Sequence, residues 1–341
     1  DENGQPVVRE YEQLRFALCV PKGIQPAEGW PILTYAHGTG GDYKTFVRNG
    51  VADYLGSLGI ASISIDQPLH GTRLGAGGDP EMDFYNFLNP LAGRDNSRQS
   101  AIDSLVLNRM APGIEIDTVS CSTCTMEASF DPDRILFMGH SQGAHTGGLF
   151  LGVEPEVKGA VLSGAGGGLA ITLLTKTDPY DVKALMEDLL GIEGGEEELD
   201  LFHPIINIIQ TYIEPADPLN YAPYYILNPL FGVPKSIFIS EGFLDTQVTP
   251  LTAEALATAI GASPIEPVYH PILGLALRGL EPLSPPVTGN ITGPGGMATA
   301  GVLQYPEGNH WVLTNDVNAK NQWGMFLQSL VDDGLATIVA Y

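Results

Sequence analysis

The chain has 341 residues, which is long enough for one large α/β domain or two modest ones with a substantial buried core. It carries 40 acidic and 16 basic residues and a formal charge of −24, which argues against nucleic acid and anionic membrane surfaces as partners. No apolar run reaches the roughly 18 residues of a membrane-spanning helix, so we expect no stable membrane insertion.

The beginning of the sequence and its acidic excess bear on location. The sequence opens at Asp1 without a charged and then apolar leader. An excess of acidic residues with few lysines is typical of secreted or salt-adapted proteins. We therefore expect a mature secreted, periplasmic or cell-surface protein whose export signal is missing from this sequence.

Two of the three cysteines form a Cys-x-x-Cys, Cys121 and Cys124, in a loop rich in serine and threonine. A zinc site needs about four ligands, and no second suitably spaced pair of Cys or His is present. A thioredoxin-like redox motif would stand near a helix start, unlike this one. A small loop disulfide and two free thiols are the interpretations that stay open.

The first hundred or so residues alternate strands and helices. Strand, helix and strand in succession predict a βαβ unit. Asp66 and His70 follow the second buried strand, and we interpret both as anchors of a loop rather than catalytic groups. The predicted elements are an edge strand Gln13–Val20, a strand Pro31–Ala36, a helix Phe46–Leu58, a strand Ile60–Ile65, a loop over residues 74–95 and a helix Arg98–Met110.

A glycine-rich loop, His37-Gly38-Thr39-Gly40-Gly41, follows the strand that ends at Ala36. Neither phosphate-binding glycine pattern is present in it. In serine hydrolases of this layout, such a loop supplies the second backbone donor to the oxyanion. We therefore predict that the N–H of Thr39 is an oxyanion donor.

The pentapeptide Gly139-His140-Ser141-Gln142-Gly143 stands where the sequence changes character. Ile135–Met138 before it is a short apolar run typical of a buried strand, and Ala144–Leu151 after it is typical of a packed helix. A serine on a sharp strand-to-helix turn tolerates only very small residues two positions away on either side. This context disfavours a chance match, so Ser141 is the predicted nucleophile and the N–H of Gln142 a predicted oxyanion donor.

Beyond a further buried strand, Val157–Ser163, the alternation of strands and helices breaks down. Residues 169–234 contain helical patterns at Tyr180–Leu190 and Ile205–Ile213, with Pro- and Tyr-rich sequence after them. We interpret this segment as a cap over a core formed by residues 1–168 and 235–341. A second small domain and a surface for a partner chain are the alternatives.

The last third of the chain supplies an acid and a histidine. A strand Lys235–Ser240 is followed by Asp245, and a strand Ala300–Tyr305 is followed by His310. Loops that follow parallel strands gather at one sheet edge, so we predict that both residues meet Ser141 there. Glu241 and Asp217 are alternative acids, and Asp245 is preferred for its position. Between these strands we predict a helix Leu251–Ile260 and then a hairpin or loop through Gly296.

The order Ser141, Asp245, His310, with the two glycine-rich loops, resembles the α/β-hydrolase superfamily, and within it secreted bacterial serine esterases and lipases. The resemblance implies a mostly parallel central sheet with helices on both faces and a helical cap inserted after the sixth core strand. It also implies an acyl-enzyme mechanism that needs neither a metal nor an organic cofactor.

The function that this resemblance implies is hydrolysis of carboxylic esters. We expect a small-molecule ester or a lipid-like substrate, because the predicted cap is rich in Ile and Tyr. Amide or peptide hydrolysis on the same fold is the alternative within enzymes. A binding protein on a degenerate hydrolase scaffold is the alternative from another class.

Overall fold

The computed structural model describes residues 7–116, 127–192 and 198–340. Cys121 and Cys124, for which a disulfide and two free thiols both stay open, lie outside the described residues. Cys19 is described, and it is a free, half-buried thiol on the first strand.

The main sheet has eight strands in the described part of the chain, in the order β1-β3-β2-β4-β5-β6-β11-β7. β1 lies at one edge, antiparallel to β3, and every other neighbouring pair in this sheet is parallel. The mostly parallel sheet predicted from the sequence is confirmed. Its strands are β1 (Phe16–Cys19), β2 (Trp30–Ala36), β3 (Ala61–Ile65), β4 (Phe130–His140), β5 (Val157–Ser163), β6 (Ser236–Gly242), β7 (Ser263–Pro264) and β11 (Ala300–Tyr305).

Helices cover both faces of this sheet, as predicted. Successive strand residues point to opposite faces, so Ile135 and Phe137 of β4 join one core, and Leu136 and Met138 join the other. The helices are α1 (Thr45–Arg48), α2 (Val51–Ser57), α3 (Pro80–Tyr85), α4 (Pro90–Met110), α5 (Gln142–Val153), α6 (Leu169–Thr175), α7 (Val182–Leu190), α8 (Pro204–Ile213), α9 (Pro250–Ile260), α10 (Leu273–Leu277), α11 (Val312–Asn315) and α12 (Val317–Asp333).

The first core contains residues of α4, α5 and α9, and the second contains residues of α2 and α12. Both faces of the central strands are therefore buried, which explains their continuous apolar sequence. Small strands lie outside the main sheet: β8 (Val287–Thr288) pairs with β12 (Thr337–Ile338), and β9 (Ile291–Gly293) pairs with β10 (Gly296–Ala298).

Several predicted helix bounds are wrong. The helix predicted over Phe46–Leu58 is two helices, α1 and α2, because Gly50 between them has a left-handed backbone with φ of 77°. Residues 74–95, predicted as a loop, contain α3 and the first turns of α4. That helix begins at Pro90 rather than Arg98, and the side chain of Asn89 caps it by accepting the N–H of Ala92.

Besides α3, the helices α6, α10, α11 and α12 have no counterpart among the predicted helices. α10 lies inside the stretch predicted as a hairpin or loop, where β9 and β10 do form a hairpin. α12 follows the predicted histidine loop and packs Trp323, Phe326 and Leu327 onto the second core.

The segment between β5 and β6 contains α6, α7 and α8, followed by 3₁₀ turns at 214–216, 218–220 and 222–224. The resemblance implied that this segment follows the sixth core strand. It follows the fifth strand of the described chain instead, because β1 is the one described strand that precedes β2. Its helices enclose a small separate apolar cluster made by Ala170, Leu173, Val182, Met186, Leu199, Ile206 and Ile213. The turns join the first core instead, where the hydroxyl of Tyr225 donates to the carbonyl of Gly148 at 2.6 Å.

Candidate active site

Ser141 stands between β4, which ends at His140, and α5, which begins at Gln142. Its backbone has φ of 56° and ψ of −124°, a strained conformation for a residue with a side chain. A Cβ at Gly139 would lie 2.5 Å from the carbonyl oxygen of Gly143. A Cβ at Gly143 would lie 2.0 Å from that of Ala36. The sharp turn therefore needs glycine at both positions, for the reason inferred from the sequence.

Asp245 and His310 follow β6 and β11, which are neighbours in the sheet. Nδ1 of His310 lies 2.8 Å from Oδ2 of Asp245, and the two residues are only 4% and 5% exposed. Oδ1 of the same carboxylate accepts the backbone N–H groups of Gln247 and Val248 at 2.9 and 2.8 Å. With Nδ1–H donating to Asp245, Nε2 of the imidazole is left as the acceptor.

Gly164, directly after β5, lies next to both Ser141 and His310. A Cβ at Gly164 would lie 2.9 Å from Cε1 of His310 and 3.5 Å from the backbone N of Ser141. The N–H of Ser141 donates to the carbonyl of Ser163 at 2.9 Å. The structure thus brings Ser141, Asp245 and His310 to one edge of the sheet, and a side chain at Gly164 would occupy the space between them.

The alternative acids have other partners. Oε2 of Glu241 accepts from Nε2 of Gln304 at 3.1 Å, and burial raises the pKa of Glu241 to about 8. Asp217 accepts the backbone N–H groups of Gly168 and Leu169 at 2.9 and 2.8 Å, together with two further donors in the inserted segment. Asp245 is therefore the one of these three carboxylates that His310 reaches.

The loop with Thr39 lies against the turn that holds Ser141. A Cβ at Gly38 would lie 3.0 Å from Cβ of Ser141, and the Thr39 hydroxyl donates to Oε1 of Gln142 at 3.0 Å. Gln142 is the first residue of α5, where a backbone N–H has no intrahelical acceptor and the helix dipole favours negative charge. The geometry brings together the two predicted oxyanion donors.

Gln67 connects this loop to the rest of the site, and the sequence analysis assigned it no role. Its N–H donates to Nε2 of His37 at 3.1 Å, and its side-chain amide donates to the His37 carbonyl. Oε1 of Gln67 accepts the hydroxyls of Ser100 and Thr146 at 2.6 and 3.0 Å. Gln67 therefore joins the glycine-rich loop of Thr39 to both α4 and α5.

The imidazole of His37 is neutral in this network. Since Nε2 accepts from Gln67, Nδ1 carries the proton and donates to the carbonyl of Gly38 at 2.9 Å. Burial lowers the pKa of His37 to about 4, in agreement with an uncharged ring. His70, which we interpreted as a loop anchor, packs 5.3 Å from this ring and faces the carbonyl of Pro68.

His140 forms one wall beside His310. Its ring centroid lies 4.9 Å from that of His310 and 4.9 Å from that of Trp311. Burial, and then the charge of His310, lower the pKa of His140 to about 3, so its ring is neutral. His140 excludes water beside His310 without adding charge.

A cavity of about 410 Å³ opens onto Ser141, Thr39 and Gln142. One wall comes from α3 and the residues after it, and the other from the inserted segment. Most lining side chains are apolar, and the charged side chains of Glu81 and Lys176 also line the cavity. The apolar lining includes Met82, Tyr85, Phe87, Leu88, Leu169, Leu173, Val182, Leu185, Met186, Leu189, Ile205, Ile209 and Ile213.

The described ranges contain neither a candidate metal-binding cluster nor a candidate membrane-spanning helix. There, no group of three or more His, Cys, Asp or Glu side chains could hold a metal ion. No helix of the described chain is both long and apolar enough to cross a bilayer.

Similar solved structures agree on the fold. Acetyl xylan esterases from a Paenibacillus and a Thermoanaerobacterium species are 15% and 14% identical, with TM-scores of 0.54 and 0.55. The matches cover 91% and 93% of this chain and 78% and 79% of those chains. A Pyrococcus horikoshii acylaminoacyl peptidase is 11% identical over 96% of this chain and 40% of its own, with a TM-score of 0.52.

The parallel sheet, the elbow at Ser141 and these likenesses define the fold class that the sequence resemblance implied. The chain has the α/β-hydrolase fold. No protein-family model and no curated protein matches its sequence.

Proposed function

We propose that the chain is a serine hydrolase that cleaves carboxylic esters through an acyl-enzyme, with Ser141 as nucleophile, His310 as base and Asp245 as the acid that orients it. One observation carries the proposal: a strained serine opens onto an apolar cavity beside a buried His–Asp pair. Neither strain nor a buried carboxylate–imidazole pair is needed for folding, and both are typical of acyl-transfer sites.

In the first half of the reaction, Nε2 of His310 takes the proton of the Ser141 hydroxyl as Oγ attacks the ester carbonyl carbon. Asp245 stabilises the imidazolium through Nδ1–H, and the N–H groups of Thr39 and Gln142 donate to the oxyanion. His310 then gives its proton to the leaving alkoxide oxygen, so the C–O bond breaks and an alcohol departs. Ser141 remains acylated.

In the second half, water takes the place of the alcohol. His310 accepts a proton from this water, and the resulting hydroxide attacks the acyl carbonyl. The same backbone donors hold the second oxyanion, and the proton on His310 returns to Oγ of Ser141 as the acid leaves. Neither half requires a metal or an organic cofactor.

The cavity supports substrates with an apolar group next to the ester. Its lining is largely aliphatic, and about 410 Å³ accommodates a medium-sized acyl or alkyl group. We propose residues 169–234 as a cap on a core of residues 1–168 and 235–341, with α6, α7 and α8 covering the site. We also propose a small-molecule or lipid-like ester as substrate and a secreted, periplasmic or cell-surface location.

Amide hydrolysis is the second candidate, because the same triad cleaves amides and an acylaminoacyl peptidase is among the similar structures. A panel of p-nitrophenyl esters from acetate to decanoate beside peptide p-nitroanilides tests both. We expect kcat/KM for the best ester to exceed that for any anilide by at least about 10²-fold. Faster anilide cleavage would replace the ester proposal with the amide one, and no turnover of either class would contradict both.

A further inference from the structure

An ion pair is buried in the wall of this largely apolar cavity, which the charged residues Arg94 and Asp188 also line. Nζ of Lys176, at the end of α6, lies 3.1 Å from Oε1 of Glu81 on α3. The two residues are 9% and 7% exposed, and both line the cavity. Burying two charges costs desolvation, and replacing such a pair by apolar residues is often neutral or stabilising. Stability alone therefore does not explain the presence of this pair.

The pair leaves hydrogen-bonding capacity unused in the cavity wall. Although Nζ of Lys176 is at ion-pair distance from Oε1 of Glu81, no donor in the described protein is aligned for a hydrogen bond to this oxygen. An ammonium group has three donors, and Glu81 engages one at most. An acceptor without a donor and a donor with spare N–H groups thus stand side by side in a cavity that admits a ligand.

The pair and the proposed reaction centre line the same cavity. Glu81 and Tyr85 are four residues apart on α3, so they lie on the same helix face, about one turn apart. The side chains of Thr39, Tyr85, Glu81 and Lys176 all line the same cavity. A substrate whose carbonyl reaches Thr39 therefore extends past Tyr85 towards the pair.

We propose that Lys176 and Glu81 form a polar subsite for a hydroxyl group carried by the apolar part of the substrate, a proposal that rests on the function proposed above. A hydroxyl donates to the carboxylate of Glu81 and accepts from Nζ of Lys176 at the same time. A carboxylate would be repelled by Glu81 and an ammonium by Lys176. The substrate class is accordingly esters of hydroxylated, otherwise apolar acids or alcohols.

The test compares p-nitrophenyl hexanoate, octanoate and decanoate with their ω-hydroxy counterparts. In the wild type, we expect kcat/KM for the hydroxy ester to exceed that for the plain ester at one chain length at least. In Glu81→Leu/Lys176→Met, the ratio of hydroxy to plain ester at that length should fall about 10- to 100-fold, as for loss of hydrogen bonds to charged groups. An unchanged ratio would overturn the subsite.

A matched control removes another ion pair of the inserted segment. Nζ of Lys183 lies 3.1 Å from Oε1 of Glu198, and these side chains are 28% and 79% exposed. Neither residue lines the cavity. Lys183→Met/Glu198→Gln should leave the hydroxy-to-plain ratio within about 2-fold of wild type. If the cavity pair only holds α3 against α6, kcat/KM for both esters would change by the same factor in Glu81→Leu/Lys176→Met. This result too would overturn the subsite.

A binding measurement separates the subsite from catalysis. In Ser141→Ala, isothermal titration with ethyl 8-hydroxyoctanoate and ethyl octanoate reports affinity without turnover. We expect the hydroxy ester to bind about 10-fold more tightly, and the preference to disappear when Glu81→Leu/Lys176→Met is added. If no ester is turned over but this preference is measured, the proposed function fails and the subsite stands. Equal affinities would overturn the subsite whatever the enzyme hydrolyses.

Discussion

Replacing Asp245 by asparagine should disable His310 without changing the shape of the site. Oδ1 of Asp245 accepts the backbone N–H groups of Gln247 and Val248, and Oδ2 accepts Nδ1–H of His310. An asparagine keeps the two backbone bonds only if its carbonyl oxygen takes the place of Oδ1. Its NH₂ group then faces His310, so Nδ1 becomes an acceptor and the proton moves to Nε2.

The size of the expected effect follows from this tautomer. An imidazole protonated on Nε2 takes no proton from Ser141, and the matching substitution in serine proteases lowers kcat about 10⁴-fold. We expect a similar loss of kcat/KM in Asp245→Asn, equivalent to about 5.4 kcal/mol of transition-state stabilisation. The unfolding midpoint should change little, because the replacement is nearly isosteric.

Steady-state hydrolysis of a short p-nitrophenyl ester provides the assay, and Glu241→Gln is the matched control. Glu241 is buried near the same loop but contacts Gln304, so its substitution should cost less than about 10-fold in kcat/KM. Activity within 10-fold of wild type in Asp245→Asn, with collapse in Glu241→Gln, would refute the assignment of the acid.

Further predictions concern stability and the oxyanion loop. Because burial raises the pKa of Glu241 from 4.5 to about 8, the folded chain retains a proton that the unfolded chain releases. The free energy of unfolding of the wild type in urea should therefore fall relative to that of Glu241→Gln as pH rises from about 5 to 8. A difference between the two proteins that stays constant over this pH range would contradict the raised pKa. Gly143→Ala places a Cβ 2.0 Å from a backbone oxygen and should lower kcat/KM about 10²-fold. Its control, Gly56→Ala in α2, meets nothing within 4 Å and should raise the free energy of unfolding by about 0.5–1 kcal/mol. If both variants had equal effects in the unfolding and activity assays, the turn at Ser141 would not need glycine at position 143. Gln67→Ala should lower kcat about 10²-fold with KM within about 3-fold, and a change confined to KM would show that Gln67 does not position the oxyanion loop.

The parts of the fold that the sequence predicted are those specified by local pattern. The apolar run before Ser141 and the glycines beside it fix a strand, a turn and a helix from neighbouring residues alone. Asp245 and His310 each directly follow a strand of a parallel sheet, so topology brings them to one edge. α12 also carries a local pattern, because Trp323, Phe326 and Leu327 are spaced to form one apolar helix face, although no helix was predicted there.

The parts that were missed depend on contacts distant in sequence. The first turns of α4 contain Gly93, a poor helix former, and a Cβ there would lie 2.0 Å from the carbonyl of Tyr85. Close packing against α3 therefore favours helix where local propensity does not. Gln67 bonds residues 30 to 79 positions away, and Lys176 meets Glu81 across the cavity. No local spacing predicts such pairs.

Covalent labelling of Ser141 tests the central claim most directly. The protein is inactivated with a p-nitrophenyl alkylphosphonate, and the modified residue is located by tandem mass spectrometry. We predict one phosphonyl group per chain, on Ser141, with ester hydrolysis lost in proportion to labelling and no labelling in Ser141→Ala or His310→Ala over the same period. Inactivation with the label on another residue, or full ester hydrolysis by Ser141→Ala, would contradict the claim that Ser141 is the nucleophile.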